Sequence, residues 1–355
     1  MGRYVINPGI HPTYFVCSTI MEKRKLGPTD MVVSIVGFGG IPIQGLSSGE
    51  AEQVLRRALE KGINFFDSAR AYTDSEEKMG KALSPYREKI FLASKALSRS
   101  GEAMTEELET SLRNFRTETI DLYQVHSVGS IEQLEKILAP GGAYEALIQA
   151  REEGKLRWIG VTGHSRPVLS KAVQTGLFDT VQLPFNPIEN EWEYDVIPAA
   201  KEAGMGIIGM KPLAGGAIRD VQASLRYSLS RGIDVSIPGM DTIEQVDENV
   251  EVSSALRGPT EEELAALQSE KELWGEKFCR RCAYCMPCPN GLNIPFLLLI
   301  EGYYTRYELR DWALARLKTL QKTFSDCAGC GECLEKCPYH LPVPDLMEHA
   351  SKHVI

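Results

Sequence analysis

Two runs of closely spaced cysteines near the carboxyl end constrain this chain more than any other feature of its sequence. The first run is followed by proline and places a thiol at every third position: Cys279, Cys282, Cys285 and Cys288. The second run is also followed by proline but leaves three residues before its last thiol: Cys327, Cys330, Cys333 and Cys337. Thiols at this spacing, in a chain without a recognisable secretory signal, favour metal binding over disulfide formation.

The spacing of the second run is the one that bacterial ferredoxins use for a [4Fe–4S] cluster, with the fourth cysteine binding the neighbouring cluster. Eight thiolates in two such runs predict two [4Fe–4S] clusters. The crossing rule assigns Cys337 to the cluster of the first run and Cys288 to that of the second. Structural zinc is the alternative, since four thiolates close one tetrahedral site. Zinc sites usually separate their Cys-x-x-Cys pairs by a spacer, so the unbroken runs favour clusters.

The remaining composition is that of a globular protein with room for one large and one small domain. The chain has 355 residues, of which 43% are hydrophobic and 25% charged, and its formal net charge is -9. No long Lys/Arg run supports nucleic-acid binding, and the run IPFLLLI is too short to span a membrane. We therefore expect a cytoplasmic protein. Residues 1–20 are interpreted as an N-terminal extension, either an upstream-start segment or a flexible arm that carries Cys17.

Upstream of the cysteine runs, short β-branched apolar segments alternate with segments of helical spacing. The first predicted strand is VVSIVGFGG, and a helix predicted from Ser48 to Gly62 follows it. Seven further strands are predicted at INFFD, KIFLASK, IDLYQVH, LRWIGVTG, TVQLPF, GMGIIGMKPL and IDVSIPG. Eight strand–helix units predict an α/β fold of the (β/α)8 or TIM-barrel type over residues 21–258. No Gly-x-Gly-x-x-Gly follows the first strand, which disfavours an open dinucleotide-binding sheet.

The pattern changes after the predicted barrel. Residues 259–275 predict a helical linker, and residues 276–355 predict a small, mainly α-helical dicluster ferredoxin-like domain. The segment between the cysteine runs, NIPFLLLIEGYYTRYELRDWALARL, has helical rather than strand character. A domain of this size buries too little apolar surface to be stable alone, so we expect the clusters to form its core.

Four polar side chains lie at or just after the ends of three consecutive predicted strands. Each has an ordinary structural explanation when taken alone, but barrel topology brings such strand ends together on one rim. An ammonium beside a tyrosine favours the phenolate and lowers its pKa, and a histidine can bind a carbonyl oxygen as charge develops there. The candidate catalytic residues are therefore Asp67, Tyr72, Lys95 and His126.

The segments KRKLG, VGFGG, INFFDSARAY, FLASK, DLYQVH, IGVTGHS and IPGMDTIEQVDENV resemble the aldo/keto reductase family over residues 22–258. With CMPCPNGLNIP after the barrel, the chain is similar to the group with a C-terminal dicluster ferredoxin domain. The resemblance implies hydride transfer between a nicotinamide and a carbonyl. It also implies Tyr72 as general acid, Lys95 and Asp67 as residues that tune it, and His126 as the residue that orients the carbonyl.

The same resemblance indicates where a nicotinamide cofactor would be contacted, although several family residues are replaced. Thr162 occupies the first position of the Ser-Asn pair that family members usually have. Met210 lies where the family usually has an aromatic side chain under the nicotinamide. Gly239 and Gln245 stand where the family often has cations for a 2'-phosphate, so we expect little preference for NADPH over NADH. The candidate cofactor-binding residues are Gly40, Thr162, Gln182, Met210, Lys211, Leu213, Gly239, Gln245, Glu248 and Asn249.

The two predicted redox chemistries differ in electron count. A nicotinamide transfers hydride, which carries two electrons, whereas each cluster accepts one; a flavin in the barrel would bridge the two. The sequence predicts an oxidoreductase that acts on a small-molecule carbonyl or alcohol, uses NAD(P)H, and exchanges electrons through its clusters with a partner such as a ferredoxin. The alternative is a redox-sensing or electron-transfer protein whose barrel binds a flavin or no longer turns over a carbonyl. A third interpretation gives the clusters a purely structural role.

Overall fold

The computed structural model describes residues 21–255, 257–275, 277–281, 283–337 and 339–354. The predicted extension over residues 1–20, with Cys17, and one predicted cluster ligand, Cys282, lie outside the described residues. Eight strands of the described chain form a parallel sheet in which every strand pairs with its neighbour in sequence. Helices follow the strands, which is the predicted α/β arrangement.

An antiparallel hairpin precedes the barrel and consists of β1 (Lys23–Lys25) and β2 (Val32–Ser34). The barrel strands, in chain and spatial order, are β3 (Phe38–Gly39), β4 (Phe65–Asp67), β5 (Phe91–Ala96), β6 (Ile120–Val128), β7 (Leu156–Gly163), β8 (Thr180–Pro184), β9 (Gly206–Met210) and β10 (Val235–Ile237). Parallel bridges join Val36 to Ser236 and Gly39 to Gly239, so the first and last strands meet. The predicted (β/α)8 barrel is confirmed.

The first predicted strand is divided in the structure. Its beginning forms β2 of the hairpin and its end forms β3 of the barrel, so the hydrophobic run serves two sheets. Leu26, Met31 and Val33 pack with apolar side chains of the barrel strands. Gly27 has φ +54°, and a Cβ there would lie 2.0 Å from the backbone nitrogen of Gly206. Only glycine permits the hairpin to approach the barrel this closely.

The helices around the barrel have apolar faces towards the strands. Their bounds are α1 (Ser48–Glu60), α2 (Ser75–Leu83), α3 (Gly101–Phe115), α4 (Ile131–Leu138), α5 (Ala143–Glu152), α6 (Arg166–Gln174), α7 (Val196–Glu202), α8 (Val221–Leu229) and α9 (Ile243–Val250). The helix predicted from Ser48 begins there, but its capping residue is Ser47. Ser47 and Glu50 form a reciprocal capping box that satisfies two backbone N–H groups.

The C-terminal region is helical, as its sequence predicts. Helix α10 (Glu261–Gly275) packs on the barrel, with Glu263 3.1 Å from Arg226 and Lys271 2.9 Å from Asn190. The remaining helices are α11 (Ile294–Thr305), α12 (Arg310–Leu317), α13 (Glu332–Lys336) and α14 (Val343–His353). They share a second apolar core with the cysteines. In the described part of the chain, no helix has the length and apolar character needed to cross a bilayer.

Candidate active site

An ion pair between neighbouring strands lies at the base of the site. Asp67 ends β4, and Lys95 lies in the adjacent strand β5. Lys95 Nζ donates to Asp67 Oδ2 over 2.5 Å and to the carbonyl oxygen of Ser68 over 2.7 Å. Gln124 Nε2 lies 3.4 Å from the other carboxylate oxygen of Asp67 and donates to Gln182 Oε1 over 2.9 Å. The carboxylate therefore keeps polar partners although it is buried.

Tyr72 and His126 lie above this pair. Tyr72 occupies the loop after β4, where its backbone N–H and C=O bond to Ala69 and Ser75. His126, in β6, packs edge-on against the Tyr72 ring, with 6.0 Å between the ring centroids. The ammonium of Lys95 lies 5.1 Å from the centroid of the Tyr72 ring. The structure thus brings together the four residues that the sequence indicated.

The electrostatic state of Tyr72 differs from the sequence-based expectation. Burial, followed by the neighbouring Tyr303 and Asp67, raises the pKa of Tyr72 well above 10. The predicted lowering by Lys95 is wrong for this arrangement, because the ammonium is neutralised by Asp67 at hydrogen-bond distance. Tyr72 therefore carries its proton at neutral pH. A protonated phenol suits a proton donor rather than a base.

The histidines of the site are neutral. Burial, followed by the positive charges of Lys95 and Arg99, lowers the pKa of His126 well below 6.5. Burial and the charges of Arg281 and Lys211 lower the pKa of His164 in the same way. One ring nitrogen of each histidine is buried without a hydrogen-bond partner, Nδ1 in His126 and Nε2 in His164. These nitrogens remain available to a bound molecule.

A cavity of about 430 Å³ contains Asp67, Tyr72 and His126, which is within the usual size range of small-molecule sites. Its floor is the barrel rim, and its roof comes from the segment after the barrel. The roof residues are Arg281, Phe296, Leu299, Tyr303, Tyr307, Trp312 and Arg316. Sequence reasoning assigned none of them, and it also missed His164. No periodicity in the sequence indicates that this face of α11 and α12 covers the barrel mouth.

The predicted cofactor contacts divide into two groups. Those that line the cavity are Gly40, Gln182, Met210, Lys211 and Gly239. Those that do not line it are Thr162, Leu213, Gln245, Glu248 and Asn249. Thr162 Oγ1 accepts from the backbone N–H of Ser127, and Gln245 Oε1 accepts from that of Asp241, both over 2.8 Å. These two side chains already stabilise loops.

Unsatisfied polar atoms test whether the barrel fits a nicotinamide nucleotide. Asn249 is buried, and its Oδ1 has no hydrogen-bond partner, as expected for a group that awaits a ligand. The partnerless nitrogens of His126 and His164 lie at the catalytic end. The described residues thus offer polar contacts suited to such a nucleotide, with Gln182 beside the carboxyl ends of the strands.

The structure also brings cysteines of the two runs together. A second cavity is lined by Cys285, Cys288, Cys327, Cys330 and Cys333, with Leu292, Ile294, Val343 and Met347 around it. Burial, followed by the charges of Cys327, Cys330 and Cys288, raises the pKa of Cys333. Cys288 therefore lies with the three thiols of the other run, but so does Cys285, which the crossing rule assigns to the first cluster, and the pairing stays a prediction. Cys337 is buried, and Cys279 lies at a cavity beside the barrel.

The number of thiols and their spacing in the sequence favour clusters over a single ion. Seven cysteines of the two runs lie in the described ranges. Within the described ranges, no three His, Cys, Asp or Glu side chains lie close enough to share one metal ion. Four thiolates close one zinc site, whereas eight thiolates in two ferredoxin-type runs fit two [4Fe–4S] clusters better.

Residues 35–223 match the model of the aldo/keto reductase family, which is more than half of the chain. The chain belongs to the aldo/keto reductase family. Residues 278–342 match the model of a 4Fe-4S dicluster domain, which supports iron–sulfur clusters in this member of the family. Both parts of the predicted resemblance are confirmed.

The matches between this aldo/keto reductase and its relatives extend over most of the length of each relative. The uncharacterised oxidoreductase YqkF of Bacillus subtilis is 31% identical over 308 residues, covering 70% of this chain and 96% of the relative. L-galactose dehydrogenase of Arabidopsis thaliana is 27% identical over 306 residues, covering 71% and 94%. The holo form of an aldo-keto reductase from Bacillus halodurans superposes with a TM-score of 0.63 at 25% identity, covering 70% and 96%.

Proposed function

We propose that this aldo/keto reductase interconverts a small carbonyl compound and its alcohol at Tyr72, and that two [4Fe–4S] clusters exchange electrons with the barrel and an external partner. The observation that carries the proposal is the enclosed cavity in which Tyr72, His126 and the Lys95–Asp67 pair meet under the cluster-bearing segment. Carbonyl reduction takes two electrons and two protons. A nicotinamide would supply both electrons and one proton as hydride, or the two clusters would supply the two electrons one at a time instead, and Tyr72 would supply a proton in either case.

The side chains of the cavity each have one task in such a reaction. Tyr72 donates its proton to the carbonyl oxygen, and its raised pKa keeps that proton in place until negative charge develops. His126, which is neutral, donates a hydrogen bond to the same oxygen through one ring nitrogen. The Lys95–Asp67 pair fixes the strand ends that carry these groups. The aromatic roof excludes water, which strengthens these interactions.

The position of the cysteines supports electron exchange. Cys279 lines a cavity of about 400 Å³ together with Lys211, and Lys211 also lines the cavity that contains Tyr72. Cys330, by contrast, is exposed. A cluster bound through Cys279 would therefore be the one next to the barrel, and a cluster bound through Cys330 would be accessible to a ferredoxin. Electrons would enter at the outer cluster and leave at the inner one.

One observation favours the alternative, a redox-sensing or electron-transfer protein whose barrel binds a flavin. Met210 lines the cavity where family members commonly place an aromatic ring under the nicotinamide. A flavin would also convert between two-electron and one-electron chemistry, which the described side chains do not do. In this case Tyr72 would be a packing residue of the flavin pocket.

The variant Tyr72→Phe separates these functions, because it removes the hydroxyl and keeps the ring. We expect a loss of carbonyl turnover of about 10²–10⁴-fold with nearly unchanged cofactor binding. The assay uses anaerobically prepared protein, with NADH, NADPH and dithionite as reductants and with cluster absorbance and flavin fluorescence as parallel readouts. Full turnover in the variant would remove Tyr72 as the proton donor. Flavin fluorescence with no nucleotide binding would favour the alternative, and cluster reduction without effect on turnover would favour a structural role.

A further inference from the structure

The wall between the two cavities beneath the cluster-bearing segment carries two cationic side chains. Lys211 follows strand β9, and Arg281 lies between two cysteines of the first run. Both line the cavity that contains Tyr72 and the neighbouring cavity that contains Cys279. Their charged groups thus lie at the roofed mouth of the barrel.

Neither basic side chain has a hydrogen-bond or ion-pair partner in the described residues. No side-chain hydrogen bond or ion pair involves Lys211 or Arg281 there, and Nη2 of Arg281 is buried without an acceptor. A buried guanidinium nitrogen that lacks an acceptor is unfavourable unless a ligand supplies one. By comparison, Arg306 in the neighbouring cavity lies 3.4 Å from Glu301.

The carboxylates nearby do not balance this charge. Asp67 is the one carboxylate among the described residues that line the Tyr72 cavity, and it is bonded to Lys95. Glu189 interacts with Lys211 and Arg281 through space, but burial raises its pKa above the usual value and its side chain accepts from Asn186. Burial and the neighbouring charge of Arg281 also lower the pKa of Lys211, so a bound anion would favour its charged form. Among the described residues that line the cavity, the basic side chains Lys211, Arg281 and Arg316 outnumber the one carboxylate.

The two cations are close enough to influence the catalytic groups. Arg281 acts on the pKa of Tyr72, and both Lys211 and Arg281 act on that of His126. A molecule whose carbonyl oxygen faces Tyr72 and His126 would place its remaining atoms among Lys211, Arg281 and the aromatic roof. The planar guanidinium of Arg281 matches the two oxygens of a carboxylate or phosphate.

We propose that the substrate carries an acid group, a carboxylate or a phosphate, that binds between Lys211 and Arg281 while its carbonyl group faces Tyr72. This inference rests on the proposed carbonyl chemistry and names the substrate class for it. The acid group would satisfy the guanidinium and orient the carbonyl at the same time. A neutral carbonyl compound of equal size would leave both cations unpaired.

Matched pairs of aldehydes and ketones test the proposal on the full chain with both clusters. The pairs are 4-carboxybenzaldehyde with 4-formylbenzamide, phenylglyoxylate with its amide, and 4-formylphenyl phosphate with 4-methoxybenzaldehyde. Anaerobic calorimetry gives their Kd values, and initial rates give kcat/KM. We expect at least one acid to bind about 10–100-fold tighter than its neutral partner, since each charge-assisted contact contributes about 1.5–3 kcal/mol.

Substitutions of Lys211 test whether the preference for the acid arises at this side chain. Lys211→Met should reduce the preference for the acid to less than about threefold, and Lys211→Arg should retain most of it. Lys277→Met is the matched control, because Lys277 lines the neighbouring cavity but not the one with Tyr72. It should leave the preference unchanged. Iron content and the spectrum of the reduced clusters confirm that each variant is intact.

Three outcomes would overturn the proposal. Equal binding of the acid and neutral members in all three pairs would show that the cations do not bind substrate. A loss of NADH and NADPH affinity in Lys211→Met, with the acid preference retained, would assign Lys211 to the cofactor's phosphates. A changed cluster spectrum in Lys211→Met, with the acid preference retained, would show that Lys211 interacts with the cluster instead. If acids bind preferentially but Tyr72→Phe has full activity, the acid site stands and the proposed chemistry at Tyr72 fails.

Discussion

The ammonium group of Lys95 donates a 2.5 Å hydrogen bond to the carboxylate of Asp67, and both side chains are almost completely buried. The pair joins strands β4 and β5 beneath Tyr72. The carboxylate of Asp67 offsets the positive charge of Lys95. Burial, rather than that charge, therefore determines the pKa of Tyr72. Lys95 therefore acts on Tyr72 mainly through the position of the strand ends.

Replacing one partner of this pair should strongly destabilise the barrel. Lys95→Met leaves the buried carboxylate of Asp67 without its cation, and breaking such a pair costs about 3–5 kcal/mol of unfolding free energy. Urea unfolding under argon, followed by circular dichroism, measures the change. The double variant Lys95→Met/Asp67→Asn should recover most of the loss, because no charge stays buried. Equal losses in the single and double variants would show that the pair is not the origin of the effect.

The pH dependence of turnover should follow the shifted pKa values of the site. The pKa of Tyr72 lies above 10 and that of His126 below 6.5, so neither group changes protonation between these values. Carbonyl reduction needs the protonated phenol, so its kcat should be constant from pH 6.5 to pH 10. Alcohol oxidation needs the phenolate, so it should rise with pH over the same range. A decline in reduction centred within this range, absent from Tyr72→Phe, would show that the cofactor lowers the pKa of Tyr72.

Nicotinamide binding should show little dependence on the 2'-phosphate. A side chain at Gly239 is excluded, since a Cβ there would lie 2.7 Å from Cγ of Pro42, and Gln245 bonds to the backbone of Asp241. We expect Kd values for NADH and NADPH within about tenfold, or about 1.4 kcal/mol, by calorimetry. Gln245→Arg should shift the ratio towards NADPH by restoring a cation. A larger NADPH preference in the unaltered protein would indicate that another cation, such as Lys211, binds the phosphate.

Iron counts in double variants should reveal how the cysteines are shared. The intact protein should contain about eight irons and eight acid-labile sulfides. If Cys288 and Cys327 bind the same cluster, Cys288→Ala/Cys327→Ala should keep about four irons. Cys337→Ala/Cys327→Ala should remove ligands of both clusters and lose nearly all iron. The reverse result would show that the runs do not cross, and zinc in place of iron would exclude the clusters.

The sequence was sufficient for those features that depend on local pattern. Alternating strand and helix segments indicated the barrel, because strand ends of parallel units converge on one rim whatever the details of packing. That rule placed Asp67 beside Lys95 and Tyr72 beside His126. It failed at VVSIVGFGG, where one apolar run supplies both the hairpin and β3, since hydrophobicity does not reveal where a strand changes sheets. It also missed Ser47, the adjacent serine that caps α1.

The sequence by itself determined the family, the four groups at the barrel rim, and the two cysteine runs, because each depends on residue identity at short spacing. The tertiary structure decided what covers that rim. Helices α11 and α12 and the turn between them place Tyr303, Trp312 and Tyr307 in the cavity with Tyr72, and the segment after α10 places Arg281 in the same cavity as Lys211. These contacts join residues far apart in the chain, and they set burial. Burial, which no local pattern encodes, raises the pKa of Tyr72 and leaves Lys211 and Arg281 facing the cavity without hydrogen-bond partners in the described residues.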